Sequence, residues 1–218
     1  MQNTEELQHL VHRFIIDTYP QGGEGFLTEN ALAARFSLNR SAARKLLLGM
    51  EGEGILQCTS QGYARVDYRS TPRETVDEIR ATVEGIAARM ATGHLERRDR
   101  VSLRLALEDM TDALERNDLA AFDEADEAFH NAVVTAAHDK LLERLFSFIS
   151  WTAGCGSSRE ATSEALVQKR LERERAGQSI LGHERIYTAL QGDDPAESER
   201  LVRKHSTGRH HDDQSSPM

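Results

Sequence analysis

Residues 27–56, LTENALAARFSLNRSAARKLLLGMEGEGIL, decide how this chain is read. Leu32, Ala33 and Phe36 mark the apolar side of a first short helix, and Ala43, Leu46, Leu47 and Met50 recur at i, i+3, i+4 and i+7 on a second. Asn39 stands where the N-cap of that second helix belongs. At about 100° per residue, Arg40, Ser41, Arg44 and Lys45 fall within an arc of about 140°, and the apolar stripe takes the other side. A helix-turn-helix needs this division, because its second helix must pack one side and offer its N-terminal half to the major groove. Taken alone, the helix fits better an ordinary amphipathic element with a solvated face. The continuation tips the balance: Gly52, Gly54, Ile55 and Leu56 lead to a polar turn at 59–62 and to Tyr63, Ala64, Arg65 and Val66, the pattern of a two-stranded hairpin. Helix, helix and hairpin make a winged helix.

Working outward, 218 residues with 39% hydrophobic content suffice for a proper core, divided between a small and a larger domain. The formal net charge of −9 argues at first against a nucleic-acid partner. Residues 1–70, however, hold 7 Lys+Arg against 8 Asp+Glu, a net of −1, which leaves 20 against 28, a net of −8, for the remainder. Between Asn30 and Met50 stand Arg35, Arg40, Arg44 and Lys45 with no acid, and local field outweighs total charge for docking on phosphates. Arg40 and Arg44 are expected to reach base edges, Arg35 and Lys45 to touch phosphates, and Asn39, Ser41 and the wing residue Gly62 to complete the DNA-binding set. Cys58 and Cys155, with no CxxC and no signal peptide, suggest reduced thiols in a cytoplasm, and no apolar run is long enough to span a membrane.

The flanking segments are helical in period. Residues 5–19 carry Leu7, Leu10, Val11, Phe14 and Ile15 at helical spacing and end at Pro20. Residues 1–68 therefore read as the winged helix-turn-helix domain, 69–73 as a linker, 74–211 as an all-helical domain for effector, metal and dimerisation, and 212–218 as a disordered tail. In the helical domain the spacing predicts helices over 73–93, with Val76, Ile79, Val83, Ile86 and Met90 on its core arc, then 101–115, 119–138, 140–150, 160–175, 178–190 and 195–210, with a break near 152–158. The fold class is mainly α, an N-terminal winged helix-turn-helix followed by an antiparallel six- to seven-helix bundle.

Four polar residues of that bundle point inward. With Phe122, Phe129 and Val133 setting the core direction of one helix, Asp126 and His130 fall within about 80° of it. His183 lies amid the stripe of Ile180, Tyr187 and Leu190, and His205 between Leu201 and Val202. A buried carboxylate without a partner costs several kcal/mol, roughly, or gives up its charge. A divalent transition ion meets that need, zinc ahead of nickel or manganese, with Asp126 and His130 on adjacent turns of one helix. A set of core histidines hydrogen-bonded to Asp126 is the alternative. Arg80, at the edge of the α-helical core arc, could pair with an effector carboxylate as a fork or with Glu84 one turn on.

Two groups of residues carry a family resemblance. Leu27-x-Glu29-x-x-Leu32-Ala33, then Asn39-Arg40-x-x-Ala43-Arg44-x-x-Leu47-x-x-Met50, Gly54 and Gly62 resemble the GntR family of bacterial transcription regulators, with departures at Gly23-Glu24, Asn39 and Ala43. Asp126-x-x-Phe129-His130, then His183-x-x-Ile186-x-x-Ala189-x-x-Gly192-Asp193, and His205 resemble the FCD ligand-binding domain of its FadR-like branch. The resemblance implies a divalent metal held by Asp126, His130, His183 and His205, and a small carboxylate effector, a sugar acid or other organic acid, bound beside it. The expected function is a ligand-responsive regulator, a homodimer on a palindromic double-stranded DNA operator, and not an enzyme. A metal-dependent helical enzyme of the carboxylate-bundle type is the rival. Glu127-x-x-His130 and Glu6-x-x-His9 match its motif formally, but the second lies in the winged domain, which leaves too few carboxylates.

Overall fold

The computed structural model describes residues 4–19, 25–68, 70–153 and 165–207, and divides the chain into two compact units, the main break lying between Pro72 and Arg73 and the residues from Ser150 to Ala153 grouping with the first. In the first unit, α1 (Thr4–Thr18), α2 (Glu29–Phe36) and α3 (Arg40–Gly52) precede a hairpin of β1 (Leu56–Thr59) and β2 (Gly62–Arg65). Val11 and Ile15 of α1, Leu32 of α2, and Ala43, Leu47 and Met50 of α3 close one core with Leu27, Ile55, Leu56 and Tyr63. Both helices of the pair start on side-chain caps: Thr28 accepts from the Ala31 amide and Asn39 from the Ala42 amide. Each satisfies an orphan amide of a first turn. The sequence reading missed one feature of the wing: Leu27 makes an isolated antiparallel bridge to Tyr63, with reciprocal backbone bonds of 2.8 and 2.9 Å. That bridge sits on Gly62, whose φ of +141° and whose approach to the Leu27 carbonyl, 2.8 Å from where a Cβ would stand, leave no room for a side chain.

The second unit is helical throughout its described residues: α4 (Arg73–Ala91), α5 (Arg97–Glu115), α6 (Leu119–Thr135), α7 (Lys140–Ala153), α8 (Ala165–Leu190) and α9 (Pro195–Ser206). Asp118 caps α6, and Asp194 caps α9 ahead of a proline in its first turn. Phe129, Leu103, Met110, Ile186 and Leu190 form the centre of the main core, and Val83, Ala87, Val134, Leu142 and Phe146 a second cluster.

Several boundaries differ from the sequence reading. Helix α6 stops at Thr135 instead of continuing to His138, which adopts a left-handed φ of 52° and turns the chain. The two expected helices over 160–175 and 178–190 are one continuous α8, since Gly177 is carried inside the helix without ending it. Helix α5 begins at Arg97, four residues early, because Glu96 acts as its cap and Asp99 accepts from the Glu96 amide. The break expected at 152–158 lies largely outside the described residues, as do 208–218.

The core face of α4 also turns out differently. Ala81, Glu84, Ala88 and Ala91 are buried along one side, with Val83 and Ala87 beside them, whereas Ile79 and Met90, expected in the core, are 47% and 41% exposed. Small residues are what allow another helix to come close. At Gly85 an added Cβ would stand 2.9 Å from Cγ of Arg203 on α9. The aliphatic arc read from the sequence was real, but the packing seam runs along the alanines.

Candidate functional site

Glu84, invisible to an apolar-period search, stands at the centre of that seam. Its side chain is fully buried, and three donors converge on it from three helices. Arg80 Nε donates to Oε1 at 2.6 Å from the preceding turn of α4, Ser206 Oγ donates to Oε2 at 2.5 Å from the end of α9, and His130 Nδ1 lies 2.8 Å from Oε2 on α6. Burial alone would raise the Glu84 pKa, but His130, Arg80 and the Ser206 hydroxyl outweigh it and hold the carboxyl at about 2. An ionised carboxylate only accepts, so Nδ1 of His130 carries a proton, and in the neutral ring the lone pair faces the other way, from Nε2.

On that far side lie the other three residues predicted from the sequence. His130 Nε2 is 3.3 Å from His183 Nε2 and 3.7 Å from Asp126 Oδ2, and His183 Nε2 is 3.4 Å from Asp126 Oδ1. The His205 ring lies edge-on close by, its centroid 4.1 Å from that of His183. One donor atom from each of Asp126, His130, His183 and His205 lies within 4.8 Å of every other. Ligands bound at about 2.0–2.1 Å to one zinc ion stand roughly 3.0–4.2 Å apart, so the 3.3–3.7 Å separations among Asp126, His130 and His183 and the borderline nitrogen and oxygen donor set fit such an ion. His183 is fully buried against Phe129, with ring centroids 4.6 Å apart, which fixes the imidazole in place. For Asp126, burial raises the pKa and His130 partly offsets it; for His130, burial lowers it and Glu84 more than compensates, so the net shift is upward.

Arg80 does not stand open at the rim. It pairs with Glu84 and, through a terminal nitrogen at 2.8 Å, with Glu127, and its guanidinium lies 5.1 Å over the Phe146 ring. Of its two carboxylate partners Glu84 is buried and Glu127 is 37% exposed. Glu127 is thereby committed to Arg80 and is absent from the four-residue cluster. A second group, Glu96, Asp99 and the exposed His138, gathers at the start of α5, with His138 Nε2 3.2 Å from Asp99.

In the first unit Arg40, Ser41, Arg44 and Lys45 are exposed on one side of α3, opposite Ala43, Leu47 and Met50. The patch is compensated from just outside the window that contained no acid. Glu29 at the start of α2 pairs with Arg40 at 2.6 Å and approaches Arg44 at 3.8 Å. Arg35 is turned elsewhere, its guanidinium 5.6 Å from the Phe14 ring centroid and 5.5 Å from that of Phe36. Leu48, one turn beyond Arg44, is 46% exposed on the same helix.

The FCD domain model matches residues 76–208. The chain is 28% identical to the Glc operon transcriptional activator of Escherichia coli strain K12, over 92% of this chain and 85% of that one. Among solved structures, Escherichia coli McbR/YncC superposes with a TM-score of 0.72 at 16% identity, covering 96% of both chains. A transcriptional regulator GntR from Rhodococcus sp. RHA1 superposes with a TM-score of 0.60 at 17% identity, again covering 96% of both. At such identities the structural likenesses speak for the fold.

Proposed function

The chain belongs to the FCD-domain family, in the FadR-like branch of the GntR transcription regulators, and on that ground we propose a homodimeric regulator that reads a palindromic operator and answers to a small carboxylate metabolite bound beside a divalent metal. Its relatives are regulators and not enzymes. Among the described residues no helix is long and apolar enough to cross a membrane, which accords with work on DNA in the cytoplasm.

In this reading residues 1–68 dock on DNA, 69–73 link, and 74–211 hold metal, effector and dimer contacts. Arg40 and Arg44, exposed on α3, supply base-edge contacts, and Lys45 supplies phosphate contact; Arg35, Asn39, Ser41 and Gly62 flank or shape that surface. Arg40 must exchange Glu29 for DNA, a small cost for an exposed pair. When bound, the ion supplies an electrophilic centre for an effector oxygen. Asp126, His130, His183 and His205 hold it, and Arg80 can meet the effector carboxylate by exchanging Glu127, its exposed partner, while Glu84 keeps the guanidinium in place. An effector that favours one conformation of the dimer shifts operator affinity by its differential affinity for the two conformations.

The single observation that carries the metal reading is the convergence of four donor atoms from α6, α8 and α9, with His130 and His183 buried and Asp126 and His205 half-buried. Elemental analysis tests it. The purified wild type should hold close to one divalent ion per chain, with little in His183→Ala or His205→Ala. Chelation should lower the thermal midpoint, because an ion that binds only the folded state stabilises it by mass action. A metal-free wild type unmoved by chelator and binding effector normally makes the cluster a hydrogen-bonded core instead.

A further inference from the structure

We propose that Glu84 is the positioning residue of this cluster: it fixes the His130 tautomer so that Nε2 offers its lone pair toward Asp126 and His183. The inference rests on the metal reading for its consequence, though not for its geometry. The carboxylate is fully buried and receives three donors, from Arg80, Ser206 and His130. No neutral side chain of the same length satisfies all three. A glutamine has one acceptor oxygen and one donor amide, and the Ser206 hydroxyl alone can rotate to suit either. Arg80 and the Nδ1–H of His130 are then in competition for one oxygen.

The charged guanidinium takes the oxygen, because a hydrogen bond with an ionised donor is the stronger one. The amide then faces Nδ1, and the His130 proton moves to Nε2, the atom that lies 3.3 Å from His183 Nε2. A proton there occupies the position a metal needs. Carboxylates behind metal-bound imidazoles typically change affinity by about ten- to a hundredfold when replaced. A second consequence separates this role from simple scaffolding: removing the rival donor with Arg80→Met in the Glu84→Gln background should let the amide oxygen turn back to His130.

The experiment measures zinc affinity by competition with a chromophoric chelator, and reads the His130 tautomer from imidazole nitrogen shifts in the metal-free protein at a pH where the ring is neutral. Expected are an Nδ1–H tautomer in wild type, a shift toward Nε2–H with an affinity loss of about tenfold or more in Glu84→Gln, and partial recovery of both in Arg80→Met/Glu84→Gln. An unchanged tautomer with wild-type zinc affinity in Glu84→Gln overturns the proposal. If that variant does not fold, the wild-type spectrum still decides, since an Nε2–H tautomer there contradicts it. If wild type takes up no zinc, the metal reading falls, while the tautomer comparison still judges Glu84.

Discussion

Two arginine–glutamate pairs in this protein have the same chemistry and the same 2.6 Å separation: Arg40 with Glu29 in the winged unit, and Arg80 with Glu84 in the bundle. The side chains of the first are 73% and 17% exposed, those of the second 18% and 0%. Water screens the first pair and leaves both groups cheap to separate. The second is held from several sides, and its carboxylate has no solvent to return to. Geometry alone would rank them equal; surroundings make one a releasable contact and the other part of the frame.

The sharpest way to break that contrast is to remove each acid. Glu84→Ala should cost on the order of 3–5 kcal/mol in denaturant unfolding, because it leaves the buried His130 and the Ser206 hydroxyl without their acceptor and takes from Arg80 its buried partner. Comparable stability in Glu84→Ala and Glu29→Ala would erase the distinction. Acid provides a related test. The Glu84 carboxyl is held at about 2, below the value near 4.3 of an unfolded chain, so its contribution is complete above about 4.3 and lost as pH falls toward 2. Wild type should therefore lose more stability across that window than Glu84→Gln does. Parallel acid curves would show that the carboxylate contributes nothing beyond its shape.

The next effects belong to the exposed pair. Arg40→Ala and Arg44→Ala should each weaken operator binding by about 1–3 kcal/mol where they read a base edge. Undiminished mobility-shift affinity in the double variant would remove α3 from the interface. Lys45→Ala should weaken all DNA sequences alike and lower the salt slope by about 1. Smallest of all, Glu29→Gln should change folding stability by less than about 1 kcal/mol, and a larger loss would mean that this pair is as structural as the buried one.

The sequence revealed the parts of this molecule that depend on period and on residue type. The stripe of Ala43, Leu47 and Met50, the cap Asn39, and the inward direction of His130 and His183 all follow from local spacing. Other features depended on what a neighbouring helix brought close. Glu84 looked like a surface residue beside Arg80, and only the approach of α6 and α9 makes it the acceptor for His130 and Ser206. The large aliphatics Ile79 and Met90 misled for the same reason: the depth of a helix face is set by how near its partner comes, and alanine and glycine allow the nearest approach. Glu29 escaped notice as a partner of Arg40 because the two are eleven residues apart, on different helices.

Gly62 constrains how such a protein can change over time. With a left-handed φ and the Leu27 carbonyl where a Cβ would be, substitution there carries a backbone penalty and a clash together. Any lineage, natural or engineered, that alters what the wing touches must do so through its neighbours. Gln61 at the turn is exposed and has no such restriction. Variation in this hairpin should therefore collect at its tip while the residue beside it stays fixed, and a mutational scan of the wing should show tolerance and intolerance side by side at positions 61 and 62.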